Sequence, residues 1–527
     1  MLYHRILSCV RTRKLFTTLV IISIGLLPIL AACGGGSTST TSKFGGNLKV
    51  GLDSDVVTLD PLKSTALYDR QVMLNIYDTL VGLDAHNNIV PDLATSWSYT
   101  TPTQLVFTLR TGVTFQDGTP LNANAVVFNI NRILSAPTSP RYSEIASVKS
   151  VVATDSSHVQ FNLKHPFSPL LATLTDRAGM ILSPTAVQKL GSNLANAPVG
   201  AGSGPFMFSQ WVKGDHLTIV KNPHYWMKDA QGNTLPYLKS VRYAPLTNES
   251  VRYSNLETGN INVAEDLGPN DVASAKANSS LVYNQAAGLS FFGFMLNTKV
   301  APFTNVHIRR AIEWGVNRQE IVTTALKNIG VVAQTPLSQA SWAFSSSIAP
   351  YSYNIGNAKS ELAQGGSPKG TTFTLLIASG SPLNTEEAQF IQSELQPAGI
   401  TVNIKQETFA TLLSDTTAFN YQAALIGWSG RPDPDGNVYS WFHTGGGLND
   451  MQYSNPQVDT LLEAARTSSD QTQRASDYQQ AEKLILQDAS YVFINYGVNV
   501  QATTTNVKNF TLLPTGMMVF ANVYLSS

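Results

Sequence analysis

The segment IGWSGRPDPDGNVYSWF, residues 426–442, gathers Trp428, Tyr439, Trp441 and Phe442 with Arg431, Asp433 and Asp435. Aromatic faces can cover a ligand, a guanidinium can grip an anion with two hydrogen bonds, and carboxylates can meet a cation. A metal reading fails first. A calcium loop opening at Asp433 needs Gly at its sixth position and Glu at its twelfth, where this chain has Val438 and Thr444. Elsewhere GAGSG at 200–204 sets its serine one place away from a nucleophile elbow. No HExxH motif occurs, and the eight histidines lack metal spacing. The residues therefore predict binding with no catalytic group, no metal and no cofactor. A secreted hydrolase stays open as an alternative, because two carboxylates paired by the fold leave no sequence motif.

The elements around this segment say what positions it. TTFTLLIA (371–378), TVNIKQE (401–407) and YQAALIG (421–427) read as strands. Between them lie a helix opening at Thr385 and ending near Pro397 and Gly399, and a short helix over TFATLLSDTTAF. Strand–helix–strand–helix–strand predicts a parallel sheet with crossover connections. The aromatic segment begins where the third strand ends, the side on which open α/β sheets bind ligands. The competing fate for Trp428, Trp441 and Phe442 is burial in the core. Further upstream, GNLKVGL alternates as a strand does. Ala123, Val126, Val127, Ile130, Ile133 and Leu134 recur at helical spacing after a turn at Asp117-Gly118. Asn317 with Glu320 three residues on predicts a capped helix start.

The chain of 527 residues is long enough for about two or three domains. Charged residues make up 13%, and the formal net charge is zero, so there is no basic excess for nucleic acid. The N-terminus carries Arg5, Arg11, Arg13 and Lys14, then an apolar run over 15–30 interrupted by Pro28. That run is shorter than the ~20 residues of a spanning helix and suits a signal peptide over 1–32. LAAC at 30–33, followed by GGGSTSTTSK, resembles the lipobox of bacterial lipoproteins. That resemblance implies that Cys33 is acylated and becomes the mature N-terminus, with 33–43 as a flexible tether. The other cysteine, Cys9, lies in the removed segment, so no disulfide or zinc cluster is expected. Removing 1–32 takes away four basic groups and no acid, leaving 31 basic against 35 acidic groups, a net of −4.

Eight segments in order resemble the family 5 solute-binding proteins of ABC importers, which bind dipeptides, oligopeptides or nickel. They are TLDP (58–61), IYDTLVGLD (76–84), PDLATSWS (91–98), LRTGVTFQDGTPLNANAVVFNINRIL (109–134), GSGPFMFSQWVKGDHLTIVKNPHYW (202–226), MLNTKVAPFTNVHIRRAIEWGVNRQEIV (295–322), GWSGRPDPDGNVYSWF (427–442) and YSNPQVDTLLEAAR (453–466). Asn124 departs from the family's usual Asp. The resemblance implies an α/β clamshell of the type II, cluster C kind with an extra N-terminal subdomain. Lobe I would combine 44–66, 197–290 and 498–527, with an inserted subdomain at 67–196 and lobe III at 291–497. It implies a monomer that takes peptides or peptide-sized polar solutes to an ABC permease and its ATPase, held to the membrane's outer face by its lipid. A permease-independent peptide sensor is the other reading on the same fold.

The resemblance also implies site residues. Trp428 matches an aromatic that covers the ligand, and the backbone at Ser429 and Gly430 matches strand-like contacts to a peptide. Arg431 stands where peptide binders carry an Asp for the ligand's ammonium group. Three arrangements follow: Arg431 grips an anionic end, Asp433 or Asp435 meets the ammonium instead, or Arg431 faces solvent. The second is expected, with capping of the following helix as the competing role for the two aspartates.

Overall fold

The computed structural model describes residues 43–333, 335–348 and 351–526. The expected signal peptide, Cys33 and nearly all of the tether lie outside the described residues. The described residues form one compact unit.

Two long strands, Leu281–Leu296 and Tyr491–Thr504, pair antiparallel along most of their length and form the spine of the molecule. On one side the sheet continues through Val263–Ala264, Asn47–Leu52, Ser240–Pro245, His216–Lys221 and Phe206–Val212. On the other side it continues through Ala423–Leu425, Thr371–Ala378 and Ile400–Glu407. The pair therefore belongs to both halves. A register shift between Ala287 and Phe291 marks where it passes from one to the other.

The predicted alternation over 371–427 is present. Thr371–Ala378 pairs parallel with both Ile400–Glu407 and Ala423–Leu425, and the connections are the helices Pro382–Leu395 and Phe409–Thr417. The first helix starts earlier than expected. Ser381, not Thr385, is its cap, its hydroxyl accepting from the Asn384 amide, and Pro382 fits the first turn, where no amide partner is needed. It stops as read, with Gly399 left-handed at φ +91°. Asn317 caps Arg318–Thr324 by accepting from the Glu320 amide, while its own amide donates to Glu394.

A second, antiparallel sheet of Ala94–Thr101, Gln104–Leu109, His158–Leu163 and Val148–Ala153 stands apart from the main one. Ala123–Leu134 packs on it with Ala123, Val126, Ile130 and Ile133 buried, and Asn122 caps that helix. The core of this subdomain runs from Leu80 to Ile181. The helix Leu67–Ile76 sits in a different core from the one its expected boundary at 67 implies. Its Val72, Met73 and Ile76 pack with Leu48 and Val50 of the main sheet, because that sheet covers the helix's apolar side.

Candidate functional site

A cavity of about 630 Å³ lies between the two halves of the main sheet. One wall comes from residues 53–68, 136–140 and Thr247, the other from 378–387, 409–417, 425–429 and 441–450. Phe292, Gly293, Met295 and Ile494 of the long strands line it where the walls meet. Contacts across the cleft hold it shut. Arg431 Nε pairs with Asp176 at 2.6 Å, Ser168 Oγ donates to the Ser468 carbonyl at 2.6 Å, and the Gly447 amide donates to Ser143 Oγ at 3.2 Å. On the opposite side Ser381 donates to Glu249, and Tyr68 meets Phe409 edge to face at 5.4 Å between ring centres.

The loop after Ala423–Leu425 is built to present its backbone. Trp428 exchanges both main-chain hydrogen bonds with Phe291, its N–H donating at 2.8 Å and its carbonyl accepting at 3.1 Å. Ile426 is tied in the same direction, its N–H donating to Gly293. In an extended chain the intervening residues point the other way. Gly427 and Ser429 both line the cavity, and among the described residues their backbone N–H and C=O groups have no hydrogen-bond partner. Gly427 has to be glycine, since a Cβ there would lie 2.2 Å from the Phe292 ring. Gly430 ends the extended run in a left-handed turn at φ +79°, against the backbone of Leu289.

Trp428 serves both roles that the sequence left open. It is 5% exposed and packs at 5.7 Å from Trp441 in an aromatic cluster with Phe291 and Tyr491, yet it and Trp441 line the cavity. Phe442 belongs to the core alone. Asn437 fixes the indole and the turn together. Its side-chain Oδ1 accepts from Trp428 Nε1 at 3.0 Å and from the Arg431 amide at 2.7 Å, and its side-chain nitrogen donates to the Arg431 carbonyl. This residue was missed in the sequence; the signal was a polar side chain inside an aromatic helix, Asp435–Phe442.

The three charged residues of the segment are engaged within the protein. Arg431 neither faces solvent nor lines the cavity. It lies over Trp428 at 4.1 Å and enters a buried cluster with Arg70, Arg177, Arg141, Asp176 and Glu144. Burial would raise the Asp176 carboxyl, but Arg431, Arg70, Arg177 and Arg141 hold it well below the usual carboxylate range. Asp433 pairs with Arg474 at 2.6 Å and accepts from the Asp435 amide at the start of the helix. Asp435 is held by Arg466 through two bonds of 2.7 and 2.9 Å. Neither aspartate lines the cavity, and Gly430 does not either. The cavity's own charges are Asp53, Glu387, Asp450 and Lys63.

A shut cleft between two α/β halves, lined by free main-chain groups, is a solute-enclosing arrangement. The sequence profile of bacterial extracellular solute-binding proteins, family 5 middle, matches residues 88–449. The chain belongs to this family of ABC-importer binding proteins. Family 5 proteins are binding proteins rather than enzymes. The chain is 31% identical to the probable D,D-dipeptide-binding periplasmic protein DdpA of Escherichia coli K12, covering 90% of this chain and 93% of that protein. Among solved structures it is similar to the ABC transporter-associated periplasmic binding protein DppA from Helicobacter pylori in complex with peptide STSA. That match has a TM-score of 0.84 and 28% identity, covering 92% of this chain and 99% of the other. It is equally similar to AgaA of A. tumefaciens R10 in complex with agropinic acid, at TM-score 0.84, 25% identity, and 92% and 99% coverage. Among the described residues no helix is long and apolar enough to cross a membrane, and no group of three or more acids, histidines or cysteines is placed to hold a metal.

The arginine cluster ranks its own substitutions. Asp176→Ala leaves the four guanidiniums of Arg431, Arg70, Arg177 and Arg141 around an empty centre, whereas Arg431→Met leaves Asp176 with Arg70 at 3.0 Å. Denaturant unfolding should show Asp176→Ala losing about 3–5 kcal/mol, the usual cost of stripping a buried pair, and Arg431→Met losing less. The opposite order would mean that the cluster is not centred on Asp176.

Proposed function

We propose that this protein is a receptor for peptides or peptide-like solutes, which it encloses between its two halves and delivers to an ABC permease. The observation that carries this reading is the row of unpartnered main-chain groups at Gly427 and Ser429 facing the cavity. An extended peptide offers the matching donors and acceptors at the same spacing, so it can dock there as an added strand. Such bonds are indifferent to side-chain identity. Trp428 and Ser429 touch the solute, while Gly430, Arg431, Asp433 and Asp435 hold the loop in shape. The peptide in the DppA structure and the dipeptides in the name of DdpA support the same class. Closing then follows from binding, because only the shut state contacts the solute from both walls.

Titration calorimetry with Ser-Thr-Ser-Ala tests this. Methylating a central backbone nitrogen of the peptide should weaken binding about tenfold, the scale of one lost hydrogen bond, while tetra-alanine should bind nearly as well as the parent. Equal affinity for the methylated peptide, or no binding of either parent peptide, would contradict main-chain recognition.

We also propose that Cys33 carries the lipid that keeps the receptor beside its permease. The support is the small-residue sequence Leu30 to Cys33 after a short apolar run. Two acyl chains anchor stably where one does not. Cell fractionation of Cys33→Ala should find the protein released from the membrane; a variant still firmly bound would favour an uncleaved anchor.

A further inference from the structure

Within the cavity, charge is unevenly satisfied. Of its three acids, Asp53 is paired with Arg252 at 3.1 Å and accepts from the Tyr68 hydroxyl at 2.9 Å. Among the described residues Asp450 makes no ion pair, and the Thr416 hydroxyl near it donates to the Leu413 carbonyl. Glu387, on the helix Pro382–Leu395, has no hydrogen-bond or ion-pair partner among the described residues, although it is only partly exposed and lines the cavity. The cavity's single base, Lys63, is exposed and on the other wall.

The groups that face Glu387 make its isolation worse. The groups close enough to act on it electrostatically are the carboxylates of Glu249 and Glu386 and the phenol of Tyr491, none of them cationic. Tyr491 donates its hydroxyl to the Ile426 carbonyl, which places Glu387 close to the stretch that presents Gly427 and Ser429. Glu249 belongs to the helix Glu249–Glu257 on the opposite half, and its contact with Ser381 is one of those that shut the cleft. Closing therefore brings a second acid towards Glu387. Like charges in a poorly solvated site repel, and a cation between them turns the repulsion into attraction. Burial first, then Glu249 and Glu386, push the Glu387 carboxyl up to about 7.

We infer that Glu387 is the residue that receives a cationic group of the solute, an ammonium or a guanidinium, at the end of the docking edge. This rests on the reading of the cavity as the solute site. It makes the acid at 387, and not the position of Arg431, the determinant of charge specificity. It also ties recognition to closure, because the cation relieves the Glu249–Glu387 repulsion that the shut state creates.

Two measurements decide it. In titration calorimetry the wild type should bind Ser-Thr-Ser-Ala about ten- to a hundredfold more tightly than its N-acetylated form, the range of a hydrogen bond to a charged group. Glu387→Gln should bring that ratio towards one by weakening the free peptide alone. A wild-type ratio near one, or a ratio unchanged in Glu387→Gln, overturns the assignment while leaving a peptide receptor intact; failure of the wild type to bind either peptide contradicts the receptor reading itself. The second measurement needs no ligand. An acid raised from 4.5 to about 7 on folding favours the folded state at low pH, and that contribution is lost as pH rises through 7. Ligand-free Glu387→Gln should therefore melt above the wild type at pH 8 and not at pH 4. A melting temperature at pH 8 equal to or below that of the wild type would show that Glu387 already has a partner, and would overturn the inference whatever the peptides do.

Discussion

Asp176 is the charge on which the geometry of this site depends. It stands in the segment whose core gathers on the four-stranded sheet and neutralises Arg431 from the far side of the cleft. Without it Arg431 would be a buried cation beside Arg70 and Arg177, an arrangement that costs several kcal/mol. With it, the turn after Trp428 is fixed at both ends, by Asn437 on its own half and by Asp176 on the other. The one remaining freedom of residues 427–429 is to offer their outward groups to whatever fills the cavity.

This arrangement separates two jobs that a single charged residue could combine. The charged residues of the segment, Arg431, Asp433 and Asp435, are each closed by a protein partner and set the shape of the loop. In the proposed binding mode, recognition falls to main-chain groups and to a cavity whose acids stand on other elements. Main-chain bonds would give affinity with little side-chain preference, and the carboxylate of Glu387 on a neighbouring helix would give preference by charge. The long antiparallel strands Leu281–Leu296 and Tyr491–Thr504 are shared by both halves of the one main sheet.

Much of this was legible in the sequence, for local reasons. The parallel unit over 371–427 follows from apolar runs alternating with helical spacing, and Gly399 and Asn317 mark helix ends by their own chemistry. The position of the loop followed from the strand before it. What was not legible depends on partners far along the chain. Arg431 read as a ligand group because nothing near it in sequence is an acid that could neutralise it from across the cleft. Asp433 and Asp435 read as ligand contacts or helix caps, and their ion pairs were not legible because Arg474 and Arg466 lie on later helices. Glu387 carried no signal of its own in the sequence, and only the fold shows which side of its helix borders a cavity.

In the proposed binding mode the solute lies between the halves, against the main chain of Gly427 and Ser429. A crystal structure of the protein with the solute it retains on purification tests this most directly. It should show an extended chain in the cavity, with its backbone within hydrogen-bond distance of both residues and the cleft shut over it. A solute bound elsewhere, or held in the cavity by side chains alone with those backbone groups unmet, would contradict it.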